Sequence, residues 1–181
     1  MRMIRAMEET YRLPALDLVE QVFTEHESRE EGQMVRHLVE EIRIKPYYLP
    51  ELELIMVDET DAVLGYCMFS RFRLEDRYCN ELLLLSPVAV KTQLQRQHIS
   101  KELIEYGFQK AAFMGFKAVI VEGNPLNYRS RGFVTSAAYG ITAHESIHLP
   151  APECLMVREL VSGGLDGIHG QVNYSMYETL R

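Results

Sequence analysis

The sequence predicts a mixed α/β domain, with a mostly antiparallel sheet flanked by helices. Two apolar runs, 52–57 and 62–74, are joined by Asp58-Glu59-Thr60-Asp61, which is a hairpin signature. Further along, an apolar strand ending at Val90 is followed by an amphipathic helix and the β-branched strand 118–121. This second pattern is typical of a β-α-β unit. With 181 residues and no linker or repeat, residues 1–181 are expected to form one domain.

The N-terminal elements are a strand and two helices. A first strand is predicted from Met3 to Ala6. Pro14 suits the first turn of a helix running from about Pro14 to Phe23, because its missing N–H is not needed there. A second helix is predicted over about Arg29–Ile42, where apolar residues recur at helical spacing, and Lys45-Pro46 ends it.

The central strand and the elements after it complete the predicted sheet. Leu82 to Val90 is expected as the third member of the antiparallel set, with Pro87 marking an edge, a bulge or a place where neighbouring strands part. Gly115 is placed to end the following helix as a left-handed cap. The strand 118–121 is expected to lie beside Val88 to Val90. The helix after the loop should bury one apolar side, formed by Ile99, Leu103, Ile104, Phe108 and Ala111. Later segments, around Val134, 155–160 and 171–174, should close the sheet.

The polar loop 95–100 enters that helix and forms the best candidate binding site. A helix N-terminus presents unpaired backbone N–H groups and a partial positive charge, which suit a phosphate or pyrophosphate. Arg96 and Lys101 add positive charge at the same place. The sequence therefore predicts an anion site where the central strand meets the helix.

Several motifs in this half of the chain resemble the GNAT family of N-acetyltransferases. Gln95-x-x-His98-x-Ser100, preceded by Val90, resembles the family's Q/R-x-x-G-x-G/A motif. The resemblance continues through Glu122-Gly123-Asn124-Pro125 to Tyr128-x-x-x-Gly132-Phe133. The segment 167–174 is similar to the ending of the YhbS-like branch of that family.

The resemblance implies a fold, a co-substrate and a reaction. The fold is the acyl-CoA N-acyltransferase type, with central strands splayed at the CoA site. Acetyl-CoA is the implied co-substrate, and the reaction is direct attack by a primary amine of a small molecule or peptide, with Tyr128 as the acid for the leaving thiolate. The implied CoA-binding residues are Val88, Ala89, Val90, Gln95, Arg96, Gln97, His98, Ile99, Ser100, Lys101, Asn124 and Tyr128.

His98 departs from the family pattern, because it stands where the first loop glycine is expected. Glycine tolerates positive φ and close approach of a ligand, whereas histidine carries a bulky ring. If the ring faces solvent, the backbone N–H still serves the pyrophosphate; if it points inward, CoA binding is weakened or lost. The alternative function is therefore a catalytically weak acyl-CoA sensor or partner-binding module with an altered loop. A longer acyl donor is a third possibility.

The general base is left open by the sequence. Glu81 and Glu122, at the ends of adjacent strands, are candidates, as are His26 and Glu27 between the first two helices. Water is an alternative to any of them. Acidic residues crowd the segment that borders the acceptor site in the resembling family, and a solvated helical face is the simpler interpretation of them: Glu25, Glu27, Glu30, Glu31, Glu40 and Glu41.

Composition and charge indicate which kinds of partner and which cell compartment are expected for this protein. The formal charge of −7 argues against nucleic acid. No run reaches the ~18 apolar residues of a membrane span, and the N-terminus lacks the apolar region of a signal peptide, so a cytoplasmic protein without a membrane partner is expected. Cys67, Cys79 and Cys154 are interpreted as reduced thiols. His144 and His148 have helical spacing but precede a proline-rich loop, so no metal site is predicted. Monomer and homodimer are both left open.

Overall fold

The computed structural model describes every residue from Met1 to Arg181. The helices are α1 (Glu9–His26), α2 (Arg29–Arg43), α3 (Ile99–Phe113) and the short α4 (Pro125–Tyr128). The strands are β1 (Met3–Ala6), β2 (Glu53–Val57), β3 (Val63–Arg71), β4 (Leu82–Val90), β5 (Ala118–Glu122), β6 (Val134–Thr135), β7 (Ile141–Ala143), β8 (Leu155–Glu159) and β9 (Gly170–Val172). None of the helices is long and apolar enough to cross a membrane.

Seven strands form the main sheet, in the order β1-β2-β3-β4-β5-β8-β6. All neighbours are antiparallel except β4 and β5, which are parallel and joined by α3. The predicted β-α-β unit and the mostly antiparallel sheet are therefore confirmed. β4 is the central strand of the sheet, so the polar loop that follows it lies beside the C-terminal end of that strand, in the middle of the sheet.

The sheet is covered by helices on both faces. Leu82 and Leu84 belong to the apolar cluster that contains α1 and α2, whereas Leu83 and Leu85 belong to the cluster that contains α3. This alternation is what a strand buried on both faces requires, because successive side chains point to opposite sides. The end of β4 is thus enclosed between α1 on one face and α3 on the other.

Several local predictions are confirmed by their hydrogen bonds. In the β2–β3 hairpin the Asp58 carboxylate accepts hydrogen bonds from the Thr60 N–H at 2.8 Å and the Thr60 hydroxyl at 2.6 Å. Ser28 caps α2 by accepting from the Glu31 N–H at 3.1 Å. Gly115, at φ +97°, follows α3 in the left-handed region. All five apolar side chains predicted on the inner side of α3 are buried.

α1 begins earlier than the sequence predicted. The helix begins at Glu9, so Pro14 lies in its second turn and not in its first. Proline there leaves the carbonyl of Thr10 without its usual N–H partner, which disfavours a helix. Tyr11 and Ala15 are both buried against the sheet, and this packing extends the apolar stripe back past the proline.

Two expectations about strand neighbours are also wrong. β9 pairs with β7 in a separate two-stranded parallel sheet, and so does not close the main sheet. The edge next to β8 that it would need is occupied by β6. β5 pairs with Leu82–Leu84 of β4, and not with Val88–Val90. This second difference creates the site described below.

A buried polar cluster ties α2 to β2 and β3. Glu53 is fully buried, and its carboxylate accepts from the Arg43 guanidinium at 2.7 and 2.8 Å and from the Tyr66 hydroxyl at 2.6 Å. Tyr48 donates to the other carboxylate oxygen. Each oxygen of this buried charge is therefore hydrogen-bonded, which is the condition under which a carboxylate is tolerated inside a protein.

Candidate functional site

β4 and β5 separate after three paired residues, which opens a gap in the centre of the sheet. The parallel ladder joins Leu82–Leu84 to Ala118–Ile120, yet β4 continues to Val90 and β5 to Glu122. A register shift between Cys67 and Phe69, opposite Pro87, bends β4 away, so the predicted bulge is confirmed.

Backbone groups of β4 face this gap. The Lys91 N–H donates to the Leu64 carbonyl, which fixes the alternation of the antiparallel ladder. Ala89 then directs its N–H and C=O toward β3, while Val88 and Val90 direct theirs toward the gap. These groups could pair with an extended, amide-containing ligand lying in the gap.

The loop after β4 presents a run of free backbone donors. The N–H groups from Arg96 to Lys101 have no acceptor within the protein. Arg96 and His98 both adopt the left-handed conformation, with φ +64°. Alternation of such residues turns successive N–H groups to one side and makes an anion-binding concavity. Together with the α3 N-terminus, this arrangement suits a phosphate or pyrophosphate.

His98 therefore adopts the backbone conformation expected of the glycine it replaces. Its side chain is exposed, and histidine is among the residues that occupy the left-handed region more readily than most. This exposure agrees with the first of the two alternatives considered for its ring, and His98 also lines the cleft described below. The loop keeps its free N–H groups with histidine in place.

A cleft of about 460 Å³ joins the gap to the loop. Nine of the twelve predicted binding residues line it, and Gln97, Lys101 and Asn124 do not: the nine are Val88, Ala89, Val90, Gln95, Arg96, His98, Ile99, Ser100 and Tyr128. Asn124 instead caps α4, accepting from the Leu126 N–H at 3.0 Å. Gln97 accepts from the side chain of Arg2, and Lys101 is exposed.

Tyr128 lies on the α3 side of the gap. Its ring packs edge-on against Phe133, with centroids 5.7 Å apart. Burial raises the pKa of the phenol, against a lowering effect of the nearby Arg131 charge. The hydroxyl makes no hydrogen bond within the protein. Tyr128 therefore lines the cleft with a phenol that burial keeps in its neutral form.

Gly123 makes room for the Tyr128 ring. A Cβ atom at Gly123 would lie 2.6 Å from Cε2 of Tyr128, which is closer than real Cβ contacts. Because Gly123 follows β5 directly, the phenol is placed beside the end of that strand. The absence of a side chain at this position thus fixes where the ring lies.

The end of α1 contacts the start of the loop. A ring nitrogen of His26 lies 2.9 Å from the Gln95 amide nitrogen, and the Thr92 hydroxyl donates to Glu25. The hydrogen bond from Thr92 lowers the pKa of Glu25, with a smaller effect from Gln21. The last residues of α1 are thereby held against the start of the loop.

Glu122 and Glu81, the two strand-end candidates for a base, lie at opposite ends of the central strands. Glu122 is the last residue of β5, at the end where β4 enters the loop, and its carboxylate accepts from the Tyr174 hydroxyl at 2.7 Å. Glu81 precedes β4, where its carbonyl accepts from the Lys117 N–H at 2.8 Å. Val88 lies seven residues along the strand from Glu81, roughly 20 Å away. Glu81 is therefore distant from the cleft, and Glu122 is the nearer of the two candidates.

Not all of the acidic residues at α1 and α2 face the cleft region. Glu40 pairs with Arg36 at 3.4 Å, and Glu41 accepts from the Thr179 N–H at 2.7 Å. These two carboxylates are therefore occupied by contacts within the protein. Burial and the neighbouring Glu27 charge raise the pKa of Glu31.

Arg131 is the main feature of the cleft that sequence reasoning missed. It stands one residue before Gly132, and it lines the cleft with Val22, Leu94, Ile104 and Asn127. A cationic residue inside Tyr128-x-x-x-Gly132-Phe133 is a visible signal in the sequence. The Arg131 side chain points toward the start of α3, and this direction depends on tertiary packing, which the sequence alone does not give.

The remaining sequence candidates lie away from the cleft. His144 and His148 are in a turn after β7, as the proline-rich loop predicted, and not on a helix. No group of three or more His, Cys, Asp or Glu side chains is arranged as a metal site. Cys67 is a free, buried thiol in β3, where burial raises its pKa, so it packs as a small core residue.

Comparison with known proteins identifies the family. The family model for the acetyltransferase (GNAT) family matches residues 13–139. An uncharacterized N-acetyltransferase of Escherichia coli strain K12, YhbS, is 26% identical over 124 residues, which is 68% of this chain and 71% of the relative.

Solved structures share the fold. The GNAT family N-acetyltransferase YhbS from Escherichia coli, solved in complex with CoA, superposes with a TM-score of 0.84 at 22% identity, covering 99% of this chain and 91% of the other. A GNAT family acetyltransferase from Brucella melitensis, in complex with acetyl-CoA, gives 0.75 at 18% identity, covering 100% and 99%. The predicted fold class and the resemblance to the YhbS-like branch are confirmed. Since the family model spans well over half of the residues, the chain belongs to the acetyltransferase (GNAT) family.

Proposed function

We propose that this protein moves an acetyl group from acetyl-CoA to a primary amine of a small molecule or peptide, and that residues 1–181 form one catalytic domain. The observation that carries the proposal is the continuity between the β4–β5 gap and the free N–H groups of residues 96–101. Two structural relatives, from Escherichia coli and Brucella melitensis, were solved with CoA and acetyl-CoA, which supports the same ligand here.

The residues present fit the diphosphate and the pantetheine arm of acetyl-CoA. The loop N–H groups and the α3 N-terminus would hold the pyrophosphate. Unpaired backbone groups of Val88 and Val90 would pair with the amides of the pantetheine arm in the gap. Bound there, acetyl-CoA supplies an activated acetyl thioester, whose carbonyl would lie near the N–H groups of the same strand.

Acetyl transfer then requires three contributions from the chain. The amine, in its neutral form, attacks the carbonyl carbon while the C–S bond breaks, and a backbone N–H of β4 stabilises the oxygen as it gains negative charge. The amine loses one proton to a base or to water. Tyr128 gives its phenol proton to the leaving thiolate and recovers a proton from solvent, so the enzyme is unchanged at the end.

The environment of Tyr128 suits this role. Burial keeps the phenol protonated at neutral pH, and the nearby positive charge of Arg131 would stabilise the phenolate that forms on proton transfer. The hydroxyl has no partner in the protein that would compete for its proton.

Glu122 is the carboxylate best placed on the acceptor side. The side chains of Ile120 and of Tyr174 both belong to the α1 and α2 face, and Glu122 follows that alternation in β5. Tyr128 packs with the α3 face. The proposed acid and this carboxylate therefore flank the gap from opposite faces, which would let the amine approach from the side away from the pyrophosphate loop.

The test is an amine screen with acetyl-CoA. Purified protein is incubated with acetyl-CoA and a panel of amino acids, polyamines and peptides with free amino groups, while thiol release is followed and products are identified by mass. The proposal predicts acetylated product for at least one primary amine. Thiol release no faster than without protein, across the whole panel, would contradict it and favour the non-catalytic sensor or binding module.

A further inference from the structure

Arg131 links α3 to α4 at the wall of the cleft. Its Nη2 donates to the Ser100 hydroxyl at 2.9 Å, in the first turn of α3, and its Nη1 donates to the Asn127 carbonyl in α4. These two bonds hold the planar guanidinium at the cleft wall. Ser100 stands at the second small position of the loop motif, and its hydroxyl provides a bond that glycine or alanine could not.

The Arg131 guanidinium has donor capacity left over. Its Nε is buried and has no hydrogen-bond partner in the protein. A ligand in the cleft does not reach this buried atom, but Nη1 and Nη2 each carry a second N–H beside the one given to Asn127 or Ser100. Because Arg131 lines the cleft, these two donors remain for a ligand there. No carboxylate forms an ion pair with Arg131, whereas Arg36 and Arg43 are each paired.

The surroundings of Arg131 point to an anionic partner. The same cleft contains the unpaired loop N–H groups and the side chain of Arg96. A fixed cation beside a row of backbone donors is complementary to phosphate oxygens, and the planar guanidinium matches their geometry.

We propose that Arg131 is a ligand of a phosphoryl group of acetyl-CoA, and that the Ser100 hydroxyl positions it. This inference rests on the proposed function, because it assumes that CoA occupies the cleft. Acetyl-CoA carries phosphoryl groups in its diphosphate and at the ribose 3′ position, and both have the chemistry that the guanidinium requires. Ser100 and Arg131 would thus act together as a phosphate-binding pair.

The test compares CoA affinity in Arg131→Gln and Arg129→Gln by calorimetry. Arg129 is the matched control, because it carries the same charge two residues earlier but is exposed, with its Nη2 3.4 Å from the Thr135 hydroxyl and outside the cleft. Loss of a charge-assisted phosphate contact predicts about a tenfold to hundredfold weaker binding for Arg131→Gln and little change for Arg129→Gln. Thermal melts establish that both variants are folded.

Salt and ligand series separate binding from a structural role. A direct ionic contact predicts that the ratio between wild type and Arg131→Gln shrinks as salt rises, because salt screens the pair. The inference would be overturned if Arg131→Gln weakened CoA binding twofold or less. It would also be overturned if the two dissociation constants differed by a large ratio that did not vary with salt. With dephospho-CoA, a ratio near one assigns the contact to the 3′-phosphate, and a preserved ratio assigns it to the diphosphate.

Ser100→Ala tests the positioning part. Ser100→Ala should weaken CoA binding less than Arg131→Gln does. The double variant should lose less binding free energy than the sum of the two single variants, because the Ser100 hydroxyl acts through the Arg131 side chain. Strict additivity would contradict a positioning role for Ser100. Failure of the wild type to bind CoA at all would instead contradict the proposed function, and with it the premise of this pair.

Discussion

Tyr128→Phe is the sharpest test of the proposed chemistry, because it removes one proton donor and little else. The phenylalanine ring keeps the edge-on contact with Phe133 at 5.7 Å and the fit against Gly123. The lost hydroxyl has no partner in the protein, so the melting temperature should change by less than about 2 °C.

The expected effect on turnover is much larger. General acid catalysis by a positioned side chain contributes typically about a hundredfold to ten thousandfold, equal to roughly 3 to 5 kcal/mol of the barrier. Turnover should therefore fall by at least about a hundredfold, while the affinity for acetyl-CoA stays within about twofold. That pattern is expected of a group that acts only in the transition state.

The assay is thiol release with the best amine from the screen, together with calorimetry for acetyl-CoA. Tyr106→Phe is the matched control, since Tyr106 is a largely exposed tyrosine on α3 and does not line the cleft. Tyr106→Phe should match the wild type in both measurements. Equal turnover by Tyr128→Phe and the wild type would refute the role of Tyr128 as the acid.

Three further variants test the loop, the fit of the ring and the buried cluster. His98→Gly should leave the acetyl-CoA Kd within about threefold, because His98 already has the glycine conformation at φ +64°; tenfold tighter binding would show that the ring obstructs the loop. Gly123→Ala should reduce turnover more than acetyl-CoA binding, because its Cβ would meet the Tyr128 ring at 2.6 Å, and an unaffected rate would count against that placement. Glu53→Gln leaves the buried Arg43 charge without its counter-charge, so unfolding should become about 3 to 5 kcal/mol easier and the melting temperature about 10 °C lower; a shift under about 2 °C would refute the stabilising role of this pair.

Much of the fold could be predicted from local patterns. The limits of β1, the start of α2, the turn at Asp58 and the cap at Gly115 all follow from residues close together in the chain. The start of α1 was predicted wrongly, because Pro14 is a strong local signal for a first turn and the burial of Tyr11 depends on the sheet beneath it.

The neighbours of the late strands depend on tertiary competition. Gly170–Val172 has the composition of a closing strand, but the edge beyond β8 is already taken by Val134–Thr135. Sequence alone does not rank two short segments that compete for one edge.

The candidate site divides in the same way. The loop 95–100 was predicted from its place before a helix, and Val88 to Val90 and Tyr128 from the resemblance to the family; nearly all of these residues line the cleft. Arg131 and the Tyr174–Glu122 hydrogen bond were not predicted, because each joins residues that are distant in sequence through a side-chain direction. The conformation of His98 was also undetermined, since φ is set by the backbone on both sides of it.

A thermal-unfolding titration with acetyl-CoA tests the central claim most directly, namely that the loop and the β4–β5 gap hold this ligand. For a Kd of about 10 μM, a concentration of about 1 mM should stabilise the native state by about 2.7 kcal/mol, which corresponds to a rise of roughly 5 to 10 °C for a chain of this length. A rise of that size, absent with adenosine at the same concentration, is the result the proposed function predicts. No rise at 1 mM, about a hundredfold above that Kd, would contradict acetyl-CoA binding and the acetyltransferase activity built on it.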